Sequence, residues 1–263
     1  MFSDVGIIGF GYVGEAVAQS ILPPFQPVII DPVKNFNATY EDIKKCGCIF
    51  VCVPSPRANN GDCDTSIIDN ILSNLTDYKG VIISKVTAPP KYYEEKALEF
   101  PNLVHVPEFL TADNHVWDFS NTEWVVIGGS VGAYQREAAR FIKEIQPCIK
   151  QIEFCSIGEA AMLKYIVNSF LATKVVFMNE MAQLSDAHGY DWRQIQNLVK
   201  MDRRIGESHM KVPGPDGLNG FGGACFPKDT DALINYAHTF NISLNVLENA
   251  LKKNMLLRLT KPK

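Results

Sequence analysis

The fold of this chain is decided by the stretch Val5-Gly6-Ile7-Ile8-Gly9-Phe10-Gly11-Tyr12-Val13-Gly14. Its first four residues predict a short buried strand, and a helix-like run from Glu15 to Leu22 follows before Pro23-Pro24. The three later glycines permit a tight turn, a close approach of the backbone to a pyrophosphate and close packing of the helix on the strand. The helix N-terminus would face the phosphate charge. The stretch therefore predicts a dinucleotide-binding turn, and the alternative is a surface turn without a ligand.

A second apolar strand, Pro27 to Ile30, is followed directly by Asp31. A carboxylate at this distance from the glycine turn can accept hydrogen bonds from both ribose hydroxyls, and it repels a 2′-phosphate. The sequence therefore favours NAD over NADP as the cofactor. The residues predicted to contact it here are Gly9, Gly11, Tyr12, Val13, Gly14 and Asp31.

Strand and helix patterns alternate up to residue 156, which is typical of a Rossmann-like, doubly wound α/β sheet. We therefore expect one cofactor-binding domain over residues 1-156. Ligands of such sheets bind at the carboxyl ends of the strands, where Ser55, Thr87 and Glu108 fall. Taken singly, Thr87 reads better as an ordinary strand end, and Glu108 as a solvated loop carboxylate. The later predicted strands are Cys48–Val53, Val81–Ser84, Leu103–Val106, Trp124–Ile127 and Gln151–Phe154, with helices at Asp64–Leu75 and Ala133–Ile145.

From residue 157 the pattern becomes all-helical, which predicts a second domain over residues 157-263. Its first helix is expected from about Glu159 to His188, long enough to join domains or to pack against a second subunit. Lys164 and Asn168 lie four residues apart and so share one face of this helix. On a mostly apolar surface they need polar partners or a cavity with a charged ligand. The alternative is a helix edge whose lysine extends into solvent.

The glycine-rich stretch from Gly220 to Asp229 places a thiol, Cys225, beside Lys228 and Asp229. Glycines allow the backbone to approach a ligand closely. A helix is predicted to begin at about Pro227, and its N-terminal dipole favours a thiolate at Cys225. The sequence therefore predicts a reactive cysteine, and the alternative is a glycine-rich turn with a buried, inert one.

Composition narrows the class of protein. The net charge of −4, without basic clusters, argues against a nucleic-acid surface. The seven cysteines are odd in number and lack the spacing of a zinc site, so we expect no metal and six reduced packing residues besides Cys225. We find no charged leader and no apolar run of bilayer-spanning length, which favours a cytoplasmic protein without a membrane partner.

Taken together, these motifs resemble the UDP-glucose/GDP-mannose dehydrogenase family over nearly the whole chain. The most specific match is Phe221-Gly222-Gly223-Ala224-Cys225-Phe226-Pro227-Lys228-Asp229. The other matches come in the family's order: Gly9-x-Gly11-Tyr12-Val13-Gly14, Val53-Pro54-Ser55-Pro56, Lys85-Val86-Thr87-Ala88-Pro89, Pro107-Glu108-Phe109-Leu110, Leu163-Lys164-x-x-x-Asn168-Ser169-Phe170-Leu171-Ala172, Asn179-Glu180 and Arg204-Ile205-Gly206.

The resemblance implies oxidation of the C6 alcohol of a nucleotide-linked hexose, most often UDP-glucose, to a carboxylate with two NAD. In that mechanism Cys225 attacks the intermediate aldehyde, and the resulting thioester is hydrolysed. Lys164 and Asn168 would stabilise oxyanions, while Asp229, Glu108 and Thr87 would handle protons and water. Val53, Pro54, Ser55 and Thr87 would contact the cofactor. Substrate contacts would come from Glu108, Phe109, Leu110, Lys164, Asn168, Arg204, Lys211, Phe221, Gly222 and Cys225.

The resemblance also implies a homodimer built around the long helix, in which Arg204 reaches the sugar site of the neighbouring subunit. Typical members carry a third domain that closes over the nucleotide, and we expect this sequence to lack it. The pattern also differs at Ala112, Val86 and Ser55, where the family usually has glutamate, serine and threonine. Two alternatives therefore stay open: a truncated, non-catalytic relative that binds NAD or a nucleotide sugar, and a two-domain NAD-dependent hydroxyacid dehydrogenase, which would have no use for Cys225.

Overall fold

A computed structural model describes residues 4–23 and 25–260 of the chain. The chain divides into two compact units. Unit 1 comprises Met1–Pro56 and Cys63–Lys164, and unit 2 comprises Arg57–Asp62 and Tyr165–Lys263. Pro24, one of the two prolines expected to stop the first helix, lies outside the described residues.

Eight strands form a single sheet in unit 1: β1 (Val5–Ile8), β2 (Pro27–Asp31), β3 (Phe36–Asn37), β4 (Cys48–Val51), β5 (Val81–Ser84), β6 (Leu103–His105), β7 (Trp124–Gly129) and β8 (Gln151–Cys155). Their spatial order is β3-β2-β1-β4-β5-β6-β7-β8. Neighbours are parallel except for the pairs β2–β3 and β6–β7. The chain order reverses at β1, so a ligand crevice is expected beyond the carboxyl ends of β1 and β4.

Both faces of the sheet are buried, which explains why its central strands are almost wholly apolar. Val5 and Ile7 pack into one hydrophobic cluster, and Ile8 packs into another, because successive side chains of a strand point to opposite faces. The predicted Rossmann-like, doubly wound sheet is therefore confirmed. The helices of unit 1 are α1 (Tyr12–Ser20), α2 (Tyr40–Ile43), α3 (Ser66–Ser73), α4 (Pro90–Glu99), α5 (His115–Asn121) and α6 (Gly132–Ile145), with 3-10 turns at Pro32–Lys34 and Ala112–Asn114.

The rest of the chain is helical, as predicted. The long helix α7 (Ile157–Ala187) contributes its first residues to unit 1 and continues in unit 2. Two small apolar clusters stabilise unit 2, one around Phe221 and Leu257 and the other around Met178, Trp192 and Met210. The remaining helices are α8 (Trp192–Val199), α9 (Phe226–His238) and α10 (Asn245–Leu259).

Helix α7 corrects one expectation from the sequence. By length and composition alone it is apolar enough to cross a membrane, so the expectation that no run reaches this length is wrong. This is weak evidence for a membrane span, because the central helices of soluble proteins meet the same criterion. The polar side chains of Asn168 and Asn179 on this helix have hydrogen-bond partners within unit 2.

Candidate active site

The first glycine turn of unit 1 links β1 to α1 and has almost no room for side chains. Gly9 has a φ of +94°, and a Cβ there would lie 2.8 Å from the carbonyl oxygen of Cys52. A Cβ on Gly14 would lie 1.9 Å from the carbonyl oxygen of Gly9. A Cβ on Gly11 would meet nothing within 4 Å. Two of the three glycines are therefore required by the fold, whereas Gly11 leaves open space in which a ligand can approach the backbone.

The start of α1 and the end of β2 complete this cradle. The first turn of α1 has no side-chain cap, so its N–H groups can receive an anion. Asp31 ends β2, and its Oδ2 accepts the Phe10 N–H at 2.6 Å, while Oδ1 accepts from Val33 and Lys34, both at 3.0 Å. A carboxylate offers about four acceptor positions, so Asp31 can still accept from ribose hydroxyls. The residues of this cradle fit a dinucleotide.

Ser55 and Thr87 meet at the carboxyl ends of β4 and β5. The Ser55 hydroxyl donates to the Thr87 carbonyl at 2.6 Å, and the Cys63 thiol donates to the same oxygen at 3.2 Å. Ser55 is buried and Thr87 is half-buried. The structure thus brings together two residues that the sequence placed at strand ends, and Cys63 joins them without having been singled out.

Glu108 follows β6 and is held by two lysines. The Lys85 ammonium lies 2.9 Å from Oε2 of Glu108, and the Lys164 ammonium donates to the backbone carbonyl of Glu108. Lys164 also lies 5.0 Å from the centroid of the Phe109 ring. The interpretation of Glu108 as a solvated loop carboxylate is wrong, because its side chain is only 12% exposed.

The other predicted contact residues of unit 1 surround these groups. Tyr12 is exposed and lies against His115, with 5.1 Å between ring centroids. Val13 and Leu110 pack against one hydrophobic cluster and Val53 against the other, while Pro54 is exposed.

Cys225 lies at the N-terminal end of α9 in unit 2, where its residue caps the helix and is exposed. Its carbonyl accepts the Asp229 N–H at 2.8 Å, one helical turn further on. The alternative that Cys225 is buried is therefore wrong. Cys46, Cys48 and Cys52 are buried as expected, but Cys148 is exposed and is not a packing residue.

Asp229 is a buried carboxylate with two strong donors. It is 1% exposed; Asn168 Nδ2 donates to Oδ2 at 2.6 Å, and the Lys228 ammonium lies 2.5 Å from Oδ1. A buried charge requires such partners. Although Asn168 and Lys164 lie four residues apart on α7, each bonds within its own unit: Asn168 bonds to Asp229 in unit 2, and Lys164 to Glu108 in unit 1.

The loop before Cys225 is held by amide side chains from distant helices. Asn254 accepts from the Phe221 N–H at 2.6 Å and donates to the Phe221 carbonyl at 3.0 Å, and Asn179 accepts from the Gly220 N–H at 3.0 Å. Sequence reasoning gave Asn254 no role, and no local signal points to it. Gly222 lies beside the Arg258 guanidinium in this loop.

Arg204 and Lys211 are both exposed in the segment between α8 and the glycine loop. The Arg204 guanidinium pairs with the Asp202 carboxylate two residues away, at 2.6 Å. Lys174 stabilises the turn that follows Arg204, because its ammonium donates to the carbonyls of Ile205 and Gly206. Within the described residues no group of three His, Cys, Asp or Glu side chains could hold a metal ion.

Two family models match the chain in sequence. The UDP-glucose/GDP-mannose dehydrogenase family, NAD binding domain, matches residues 26–146, and the central domain of the same family matches residues 158–255. Together they cover most of the chain. The cofactor is therefore NAD, in agreement with the cradle formed by Gly9, Gly14 and Asp31.

Known relatives are similar to the chain over most of its length. A UDP-glucose 6-dehydrogenase of Rickettsia typhi is 31% identical over 86% of this chain and 53% of its own length. UDP-glucose 6-dehydrogenase TuaD of Bacillus subtilis is 28% identical over 95% of this chain and 62% of its own. The chain thus spans between half and two thirds of the length of these relatives.

A solved structure agrees in fold. A UDP-glucose dehydrogenase from the archaeon Pyrobaculum islandicum superimposes with a TM-score of 0.80 at 22% identity, over 97% of this chain and 68% of that one. The sequence matches and this shared fold lead to one conclusion: the chain belongs to the UDP-glucose/GDP-mannose dehydrogenase family.

Proposed function

We propose that the chain is an NAD-dependent nucleotide-sugar 6-dehydrogenase that oxidises UDP-glucose to UDP-glucuronate. In this proposal residues 1-156 form the NAD-binding domain, and residues 157-263 form the helical domain that carries the catalytic cysteine. Membership of the family and the names of the relatives support the reaction class. The protein would work in the cytoplasm, where UDP-sugars serve as precursors of polysaccharides.

One observation carries the proposal. The Cys225 thiol is exposed at the N-terminal end of α9, and one helical turn away Asp229 is buried and held by Asn168 and Lys228. Negative charge is favoured at a helix N-terminus, which suits a thiolate. A packing cysteine needs neither solvent access nor an ordered carboxylate nearby.

Cys225 would act as the nucleophile. Two NAD molecules, bound one after the other, would each accept one hydride from C6 of the sugar: the first leaves the alcohol to give an aldehyde, and the second leaves the thiohemiacetal on Cys225 to give a thioester. The Cys225 thiolate adds to the C6 aldehyde, forming a bond from sulfur to carbon while the carbonyl electron pair moves to oxygen. Lys164 and Asn168 would stabilise that oxyanion. Water would then cleave the thioester and release the carboxylate and the thiol, with Asp229, Glu108 and Thr87 ordering water and moving protons.

A homodimer built on α7 is the second part of the proposal. Four large apolar side chains of unit 2 on α7 are more than half exposed and follow one another at spacings of four and then seven residues, which places them on one stripe of the helix. They are Ile166, Phe170, Phe177 and Leu184. An apolar stripe of this kind is typical of a subunit interface. Light scattering of the protein and of Phe170→Glu tests it: the variant should be a monomer.

The function is tested by binding and then by turnover. Thermal shift with NAD and with a panel of nucleotide sugars identifies the ligand, and NADH formation per sugar is then measured for wild type, Cys225→Ser and Cys148→Ser. Because Cys148 is exposed but lies outside the proposed site, its variant is the matched control. We expect acid formation in wild type and Cys148→Ser, and none in Cys225→Ser. A folded wild type that binds NAD but forms no NADH with any nucleotide hexose would refute the proposal and favour a non-catalytic relative.

A further inference from the structure

Lys85 is a buried lysine that the proposed mechanism does not use. It follows β5 directly, and its backbone N–H donates to the Val51 carbonyl at 2.9 Å. Its side chain is only 3% exposed. Burying an ammonium group is costly unless it is paired and hydrogen-bonded, so the position of Lys85 needs an explanation.

The partner of Lys85 is the carboxylate of Glu108, at 2.9 Å from Nζ to Oε2. The other carboxylate oxygen, Oε1, accepts the N–H of Phe109 at 2.9 Å. Both oxygens of Glu108 are therefore engaged, and its side chain is fixed in one orientation. A buried ion pair contributes little net stability compared with apolar residues of similar size, so stability alone does not explain this pair.

The peptide between Glu108 and Phe109 is held on both sides. Its N–H donates to the Glu108 carboxylate, and its carbonyl oxygen accepts from the Lys164 ammonium. Lys85 thus acts on Lys164 through one residue: it orients the Glu108 side chain, the side chain orients the peptide, and the peptide carbonyl places the Lys164 ammonium.

Apolar and uncharged groups also lie near the Lys85 ammonium. The Phe119 ring centroid lies 5.5 Å from Nζ, and the thiol of Cys52 is buried nearby. His105 also feels the charges of Lys85 and Lys164, and burial is the main cause that lowers the pKa of its imidazole to about 3. Among the described residues, Glu108 is the acid that pairs with Lys85.

We propose that Lys85 is a positioning residue that fixes the Lys164 ammonium through Glu108. The inference rests on the proposed function, in which Lys164 stabilises an oxyanion. Loss of the Lys85 charge frees the Glu108 carboxylate and with it the peptide that holds Lys164. A misplaced oxyanion donor slows the chemical step and leaves cofactor binding intact.

A labelling experiment tests the arrangement without turnover. The rate of Lys164 acetylation by acetic anhydride is measured by mass spectrometry in wild type, Lys85→Met and Lys91→Met, with the exposed Lys79 as internal reference. Lys91 is the matched control because it pairs with Glu95 on the surface of α4. We expect several-fold faster acetylation of Lys164 in Lys85→Met and no change in Lys91→Met. An unchanged rate in a folded Lys85→Met would overturn the proposal; should that variant not fold, Glu108→Gln must give the same acceleration.

A double-mutant cycle then tests the path to Lys164. Lys85→Met should lower kcat by about 10- to 100-fold, with KM for NAD unchanged. In a Lys164→Met background it should cause a clearly smaller loss than in the wild-type background, because both changes remove the same oxyanion contact and only the effect on Glu108 itself remains. Additive losses would show that Lys85 acts elsewhere and would contradict the proposal. If wild type has no turnover with any nucleotide sugar, the proposed function fails, whereas the acetylation rates still decide the role of Lys85.

Discussion

The two glycine turns of this protein constrain their glycines in different ways. In the turn of unit 1, the space of a Cβ on Gly14 is filled by a backbone oxygen, 1.9 Å away. In the turn of unit 2, a Cβ on Gly220 or Gly222 would meet side chains instead, Asn254 Oδ1 at 2.4 Å and Arg258 Nη2 at 2.8 Å. Backbone held in a sheet cannot move away from an added methyl group, whereas a side chain can change its rotamer. The first turn is therefore fixed by the sheet, and the second by side chains from a distant helix.

The largest loss of stability is expected for a substitution in the glycine turn of unit 1. Gly14→Ala should lower the free energy of unfolding by about 3 kcal/mol, because its methyl group overlaps backbone that the sheet holds in place. Gly11→Ala is the matched control: its Cβ has open space, so stability without ligand should change by less than about 0.5 kcal/mol.

NAD binding should separate the same two variants. Gly11→Ala should weaken NAD binding by about tenfold or more, since its methyl group occupies the space that the ligand needs. Urea unfolding and NAD titration by fluorescence measure the two quantities. Equal destabilisation by both substitutions would contradict the account of this turn.

The next effect concerns the amide that holds the second turn. Asn254→Ala leaves the buried N–H and C=O of Phe221 without their partner, which should cost about 2 kcal/mol or more. Asn249→Ala on the same helix is the control, because that side chain is exposed and donates to the Asn245 carbonyl one turn earlier. Hydrogen exchange of residues 218–224 should accelerate only in the Asn254 variant. Unchanged exchange there would show that the turn is held by something else.

His105, in the sheet of unit 1, should make the free energy of unfolding depend on pH. Burial lowers the pKa of His105 from 6.5 to about 3, so between these values the unfolded chain binds a proton that the folded chain does not. The free energy of unfolding should therefore fall as the pH drops, by about 2 kcal/mol at pH 5 from this group. His105→Gln should flatten this slope between pH 7 and pH 5, and the exposed His188→Gln should keep it. A slope unchanged in His105→Gln would contradict the assignment.

The smallest effect is expected for Gly222→Ala. The three atoms nearest to its methyl group belong to the Arg258 guanidinium, which can move aside at the loss of its surface pair with Asp216. The cost should stay below about 1 kcal/mol and should disappear in an Arg258→Ala background. A loss as large as that of Gly14→Ala would erase the difference between the two turns.

The same contrast explains what could be predicted from sequence. The central strands β1, β4 and β5 are short apolar runs, so their positions follow from local pattern, whereas the two-residue strand β3 has no such run and is not predicted. The positions of α4 and α5 do not follow from such a pattern. Helix α4, for example, begins at Pro90 and buries only Pro90, Tyr93 and Ala97, which leaves a weak apolar period. The antiparallel pairing of β7 with β6 also has no local signal.

The sequence predicts which residues of the candidate site lie close together within one motif, but not which distant residues hold them in place. Cys225 and Asp229 share one motif, so their proximity follows from helix geometry. Asn254 lies 33 residues beyond Phe221, and only the tertiary structure brings them together. The partner of Lys85 lies 23 residues along the chain, past another strand, and is equally invisible to local patterns.

The central claim is that the sulfur of Cys225 carries the second oxidation of a sugar alcohol. The most direct measurement is the ratio of NADH formed to nucleotide sugar consumed when the sugar is limiting, with the product identified by mass spectrometry. We predict about two NADH per sugar and a uronate product, because an alcohol loses two hydrides on its way to an acid. One NADH per sugar with an aldehyde product, or an unchanged ratio in Cys225→Ser, would contradict the claim.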